Sequence, residues 1–342
     1  MPTTSSLIKA FTDMGSSFRD ELTLYSHMSI SGIEWFNVRG SGRVRVVGCD
    51  SSRQYEVLRG FLVYAIQGVS VVYDSVGETL GYYSDAIASY ITLGERWGVK
   101  TLKDTIISSS AKTLEARLAY NASSRVDNIE YILFDGSYPS FVEALLVSKR
   151  LYGELARSSY SLWFDRVKLV GDLIEKYKVV FISKSVSKSY LTGEDRVKAL
   201  LGNKAIRVPD FIVVDKISQQ DTGYIWYENP YFKLKETTIE EAGKAGAKIS
   251  RYYTLTYARL HPRGRIYQVT IPGKASREEV EEIIADLTLL SSEGYPTPLT
   301  IPHHTSRITR REFKDLLSYV LAYTETGREP LEHVLTTNII RE

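Results

Sequence analysis

Two aspartates close short apolar runs and stand just ahead of serines: Asp50 in VVGCDSS and Asp135 in YILFDGS. Such runs read as buried strands, and neighbouring parallel strands ending on one sheet edge would bring the two carboxylates together. Close carboxylates repel, and a divalent cation is the usual remedy. Oxygen donors of this hardness suit magnesium or manganese. An ion held there can polarise a phosphodiester and activate water, and two ions about 3.5–4 Å apart can hold both attacking and leaving oxygens. Either aspartate alone is equally well explained as a turn former or a helix cap. The pair favours the cation.

Other residue types suit the same chemistry. Glu115, between Leu114 and Leu118 in TLEARLAY, sits at the edge of an apolar helical stripe and can point along the sheet as a third carboxylate; its alternative is a solvated glutamate beside Arg117 or Arg125. His303 and His304 lie in a proline-bordered, irregular segment, where a histidine can bind a metal, move a proton, or simply be exposed. Lys184 follows the run KVVFIS and can meet a scissile phosphate or stand free at a strand end. Basic residues gather at Lys248, Arg251, Arg259, Arg263 and Arg265, and again at Arg307, Arg310, Arg311 and Lys314. Interleaved tyrosines (Tyr252, Tyr253, Tyr257 and Tyr267) offer stacking surfaces for bases, and the cations offer phosphate contacts without sequence readout. A solvated charged face is the ordinary alternative.

The elements that must position these groups follow from periodicity. Leu7, Phe11, Met14, Phe18, Leu22 and Tyr25 recur at helical spacing, as a helix packing on its own core or on a second subunit. Arg43–Cys49 reads as a buried strand ending in the turn Asp50-Ser51-Ser52, followed by strands Val57–Ile66 and Val69–Asp74 joined at Gln67-Gly68. Residues 98–123 read as helix, 129–134 as a strand, 140–157 and 162–177 as two helices, and 178–183 as a strand. Beyond residue 190, Phe211–Asp215, Tyr224–Glu228, Arg251–Leu260 and Arg265–Ile271 read as strands, with Tyr252–Ala258 alternating as in a half-exposed sheet. Helices over 276–292, capped by Ser276, and 309–325 close the chain. This order of elements fits a mixed α/β core better than a doubly wound fold.

Composition excludes several classes. Cys49 is the only cysteine, so neither an intrachain disulfide nor a thiolate zinc cluster can form. No GxxxxGK[ST] phosphate loop occurs, which argues against a P-loop ATPase. The N-terminal residues do not pattern as a signal peptide, and the most apolar stretch, Phe61 to Tyr73, is too short for a bilayer. The expectation is a soluble cytoplasmic protein. A net charge of +2 leaves nucleic acid open as a partner, because groove binding depends on where the cations sit.

In this order, VGCDSSR (47–53), LEARLAY (114–120), FDGSYPS (134–140), ISKSVS (182–187), YFKLKE (231–236), RIYQVTIPG (265–273) and GYPTPLTIPHHTSRIT (294–309) resemble the NurA family of archaeal and bacterial nucleases. The resemblance implies one NurA-like domain over 1–342. It would comprise a helical extension over 1–40, the first part of an RNase H-like core over 43–190, and additional strands and closing helices over 205–342. It further implies a manganese-dependent nuclease (magnesium being possible) with single-strand endonuclease activity and 5′ to 3′ exonuclease activity on single- and double-stranded DNA. A homodimer working beside a hexameric HerA-like ATPase in DNA end resection and recombinational repair is implied as well. Carried over by motif, Asp50, Asp135, Glu115 and His303 match the metal-binding positions and Lys184 the lysine after the next strand; His303 is preferred to His304 because it stands five positions before Ile308. Arg251, Arg259, Arg263, Arg265, Arg307 and Arg310 are the candidate DNA contacts. Ser51 stands where the family has glycine, which motivates a rival: a catalytically weak subunit that binds DNA or docks a translocase.

Overall fold

The computed structural model describes residues 33–40, 42–58, 60–93, 99–143, 153–184, 190–191, 210–218 and 220–324, together with positions 12 and 14. The helix expected over 7–25 otherwise lies outside the described residues, as does most of the extension assigned to 1–40.

Among the described residues, strands β1 (Ile33–Asn37), β2 (Arg45–Leu58), β3 (Phe61–Asp74), β4 (Thr79–Thr92), β5 (Tyr131–Asp135), β6 (Lys178–Ser183), β7 (Gly223–Tyr227), β8 (Tyr231–Lys233), β9 (Tyr252–Arg259) and β10 (Ile266–Pro272) form one 10-stranded sheet. Its order is β1-β7-β9-β10-β6-β5-β2-β3-β4, with β8 paired to β9 off this path. β5 runs parallel to both β2 and β6, and the other pairings are antiparallel. The helices are α1 (Val99–Leu102), continued through a π-helical turn at Lys103–Ile107 into α2 (Ser108–Ser123), then α3 (Tyr138–Val142), α4 (Gly153–Lys176), α5 (Asp210–Ile217), α6 (Glu236–Lys244), α7 (Arg277–Leu289), α8 (Thr297–Thr305) and α9 (Arg310–Thr324).

Alternate residues of the central strands enter two separate cores. On one face Val47, Cys49, Ile132, Phe134, Val179 and Phe181 pack against Ala116 and Ala119 of α2, Phe141 of α3 and Trp163, Val167 and Val170 of α4. On the other, Val46, Tyr131, Leu133, Val180, Ile182 and Val269 pack against Val280, Ile283, Ile284 and Leu287 of α7 and Leu299 of α8. A sheet covered on both sides reads as continuous apolar runs. That is why β5 and β6 were visible in the sequence.

Several expectations need correction. β2 does not end at Asp50-Ser51-Ser52; it pairs with β3 without a break from Arg45↔Asp74 to Leu58↔Phe61. β3 likewise runs straight through Gln67-Gly68, and the turn falls beside Gly60, whose φ of 82° suits glycine. Gly68 marks a close packing instead, because a Cβ there would lie 2.7 Å from Leu118 Cδ1 of α2. β4 went unread. Phe211–Asp215 belongs to helix α5, where fully buried Asp210 accepts backbone hydrogen bonds from Tyr190 at 2.6 Å and Leu191 at 3.0 Å. α4 continues through residues 157–162, so no break separates two helices there. β9 is buried on both faces rather than half exposed. The segment before His303 is helical, as α8. The capping box at Ser276 with Glu279 is present as expected.

Candidate metal centre and active site

β2 and β5 are in parallel register from Val46↔Tyr131 to Cys49↔Phe134, so Asp50 and Asp135 occupy the next rung. Both lie on the strand face that α7 and α8 cover, by alternation from Val46 and Leu133. α8 closes over the same rung because Gly48 has no side chain: a Cβ there would lie 1.8 Å from the Pro298 carbonyl oxygen. That carbonyl also lacks its helical donor, since residue 302 is a proline inside α8. The chain leaving α8 is clamped to β2, with Ser52 Oγ accepting from the Ile308 backbone N–H at 2.8 Å and Gln54 Nε2 donating to the Ile308 carbonyl at 3.0 Å. His303, in the last turn of α8, thereby sets Nδ1 2.6 Å from Asp50 Oδ2. Asp50, Asp135 and His303 each offer a ligand atom, and these atoms lie within 4.8 Å of one another. His304 is exposed, its ring edge-on to that of His303 at 5.7 Å.

Residues 44–308 match the NurA domain family. The chain belongs to the NurA family. Among solved structures, the NurA nuclease of Sulfolobus solfataricus aligns over 96% of this chain and 100% of its own, with a TM-score of 0.70 and 21% identity. A NurA structure with manganese aligns over 94% of this chain and 100% of its own (TM-score 0.63, 15% identity). One bound to dAMP and manganese covers 97% and 98% respectively (0.61, 14%). A curated relative, the uncharacterized protein MJECL07 of Methanocaldococcus jannaschii, is 24% identical over 220 residues. That match takes in 57% of this chain and about half, 51%, of the relative's length. At these identities the structural likeness establishes a NurA-like mixed α/β fold with helices flanking a large mixed sheet.

Glu115 of this NurA chain stands one layer behind the three grouped residues. Ser51 points to the opposite sheet face from Asp50, and its hydroxyl donates to Glu115 Oε1. Burial, with the Asp50 charge second, pushes the Glu115 carboxyl up to about 8. Asp50, 8% exposed, is raised above the usual carboxylate range chiefly by burial, against the opposing hydrogen bond from His303. Lys184 Nζ lies 3.0 Å from Asp135 Oδ2. An imidazole and an ammonium group thus stand beside the two carboxylates. The donor set of two carboxylate oxygens and an imidazole nitrogen fits a divalent first-row cation such as manganese.

Tyr295 was missed in the sequence. Lys184 Nζ sits 4.1 Å from its ring centroid, and its buried hydroxyl keeps its proton firmly, through burial first and then the charges of Asp135 and Asp50. The signal was present in GYPTPLT, but tyrosine is so frequent in this chain, with 24 copies, that no single one stood out.

The six candidate DNA contacts separate. Arg263, Arg265, Arg307 and Arg310 are exposed and form no ion pair among the described residues. Arg251 is engaged with Glu236 Oε1 at 3.0 Å. Arg259 is 1% exposed, and its guanidinium donates to Asp215 Oδ1 at 2.5 Å, Ser218 Oγ at 2.7 Å and the Gly264 carbonyl at 2.8 Å. It braces the β9–β10 hairpin rather than facing solvent. Tyr253, Tyr257 and Tyr267 are buried packing residues and offer bases no stacking surface, while Tyr252 is half-buried.

Proposed function

We propose that this NurA chain is a manganese-dependent deoxyribonuclease that hydrolyses phosphodiesters in single- and double-stranded DNA. The carrying observation is the convergence of Asp50, Asp135 and His303 ligand atoms within 4.8 Å. Asp50, Asp135 and His303 would hold the ion, with Glu115 behind them through its hydrogen bond to Ser51. When bound, the cation supplies Lewis-acid polarisation of a phosphoryl oxygen.

The side chains divide the remaining work. Lys184, exposed beside Asp135, presents its ammonium charge to a non-bridging oxygen of the scissile phosphate. His303 is anchored through Nδ1, which leaves Nε2 for moving a proton at the leaving oxygen. Tyr295 holds Lys184 by its ring face and keeps its own proton to donate. Asp50 accepts the Ser51 backbone N–H at 2.8 Å, which fixes its carboxylate plane.

The strand order β4-β3-β2-β5-β6, antiparallel and then parallel from β2 onward, supports an RNase H-like core. The exposed arginines support a non-specific phosphate track. The wider reading has the chain act as a homodimer beside a HerA-like hexameric ATPase, cutting single strands internally and degrading ends 5′ to 3′ during repair. The weak-subunit rival loses its motive: Ser51 lies within β2, is not among the residues at positive φ, and has its own hydrogen bond to Glu115.

Purified chain is incubated with manganese and end-labelled single-stranded, duplex and RNA–DNA hybrid substrates, beside Asp50→Ala. Cleavage of both DNA forms by the wild type alone is expected. Equal inertness of the two proteins, with DNA binding retained, overturns the enzyme reading. Co-purification with a HerA-like ATPase across a salt series tests the partner.

A further inference from the structure

A cleft of about 750 Å³ opens beside the β9–β10 hairpin, and the chemistry above gives it no task. Its walls are the chain leaving β1 from Asn37 to Gly40, the chain entering β7 at Asp221, and the turn after β9 at His261. Its floor is the C-terminal end of α7, at Thr288 and Ser291. The rim is internally fastened. Val38 N–H donates to the Thr222 carbonyl at 3.3 Å, and Arg263 N–H to the Gln220 carbonyl at 3.1 Å. A Cβ on Gly40 would lie 2.4 Å from the Ala285 carbonyl, so the chain beyond β1 lies flat on α7. Gln220 and Arg263 both hold positive φ, 66° and 59°, a conformation that costs non-glycine residues energy and gathers at binding sites.

Polar groups converge on this cleft. Arg39 and Asp221 are exposed and enter no ion pair among the described residues. Asn37 Oδ1 accepts from Trp35 Nε1 at 2.8 Å, which leaves the amide donors of Asn37 for a ligand. His261 Nδ1 lies 2.9 Å from the Pro262 carbonyl, which only accepts, so the proton sits on Nδ1 and Nε2 remains available. A guanidinium fork, a carboxylate and an imidazole around one cleft of this size suit a nucleotide. The electronegative end of α7 sets its direction: it repels a phosphate, which falls to Arg39, and favours an amino-bearing base edge.

Sheet register relates the cleft to the metal centre. Asn37 pairs with Gly223 and Gly223 with Arg259, while Gln268 pairs with Ser183 and Ile182 with Asp135. The cleft and the centre therefore open on one sheet edge, and β5 to β9 is three strand spacings, roughly 14 Å. Gly294 and Tyr295 bridge the interval. A Cβ on Gly294 would lie 3.6 Å from His261 Cβ, and the Tyr295 ring meets the Tyr267 ring at 5.2 Å and Lys184 at 4.1 Å. Exposed Arg263 and Arg265 stand on the hairpin at the same edge and suit the intervening phosphates.

We propose that this cleft binds one nucleotide of the substrate strand, a few nucleotides from the scissile phosphate. The strand as its source rests on the nuclease reading, yet the site is tested without catalysis. The full chain in EDTA is irradiated with the photoaffinity probe 8-azido-dGMP, and labelled peptides are mapped by mass spectrometry. Labelling is expected within residues 37–40, 220–222 or 260–263, and the double variant Arg39→Met/His261→Ala, folded by circular dichroism, is expected to lose it at least tenfold. Unlabelled dGMP and a ten-nucleotide single strand then compete with the probe. Competition by the strand at a tenth of the dGMP concentration or less supports the proposal, and a strand no better than dGMP makes this a mononucleotide site and overturns it. Labelling confined to the segment around Tyr295 and Lys184, or left unchanged in the double variant, also overturns it. Strand-competed labelling of the cleft in a chain that cleaves no DNA with manganese keeps the site and removes only the nuclease reading.

Discussion

Asp50 is held from two directions, by the Ser51 backbone and the His303 imidazole, and faces the repelling charge of Asp135 across one rung. Removing one charge while keeping the shape tests the centre most cleanly. Asp135→Asn is expected to lower manganese-dependent cleavage by about a thousandfold or more, in line with several kcal/mol of charge stabilisation, while DNA affinity in EDTA holds or rises. An unchanged rate would remove Asp135 from the reaction. Glu115 supplies a pH test on the metal-free protein. Burial pushes its folded carboxyl up to about 8 from the ordinary glutamate range. The folded form keeps the proton that the unfolded chain releases, so this stabilisation is whole below about pH 4.5 and is lost as pH rises to about 8, at up to about 1.4 kcal/mol per unit. Thermal midpoints in EDTA should therefore fall more between pH 5.5 and 8 for the wild type than for Glu115→Gln. Parallel curves would show that Glu115 does not titrate in this window. The aspartate pair was legible because each residue ends an apolar run. The tie between Ser51 and Glu115 was not, because it crosses from strand to helix between residues far apart in the chain.

At the level of elements, the sequence read well where a period was carried by apolar residues and poorly where polar ones carried it. β5, β6 and the helix over Val99–Ser123 were found, whereas β2 past Asp50 (SSRQYE) and β4 (TLGYYSDAIASYIT) look like loops on composition alone. They are strands because the long antiparallel ladders on either side of β3 satisfy their backbone. The run FIVVD was ambiguous by nature, since a short apolar run fits helix or strand equally. Gly48 makes the contact of β2 with α8 testable. Gly48→Ala pushes Pro298 and with it His303, so activity is expected to drop about a hundredfold from misplacement, with secondary structure unchanged by circular dichroism. Wild-type activity in that variant would mean that α8 does not fix the histidine. Arg259→Leu should cost about 1–3 kcal/mol of stability by orphaning the β9–β10 brace, read as a lower denaturation midpoint at unchanged DNA affinity. Weaker DNA binding at unchanged stability would return Arg259 to the DNA surface.

Across the whole molecule, the segment from Gly294 to Arg310 links the parts. Gly294 packs on the loop bearing Arg263, with His261 and Gly264 as its nearest contacts. Tyr295 meets Lys184, His303 meets Asp50, and the exposed Arg307 and Arg310 follow. The two sets of free arginines therefore flank one centre and should act as one electrostatic footprint. Replacing Arg263, Arg265, Arg307 and Arg310 by glutamine is expected to flatten the salt dependence of single-strand binding by about 0.7 per lost phosphate contact. An unaltered slope in fluorescence anisotropy would place the DNA elsewhere. No described helix is long and apolar enough to cross a membrane. The histidine that closes on Asp50 is 253 positions further along the chain. During synthesis both aspartates leave the ribosome long before α8 exists to cover them. A chain interrupted anywhere short of that helix carries both aspartates but not the imidazole that meets Asp50, so the three groups come together only once the segment beyond residue 297 has been made.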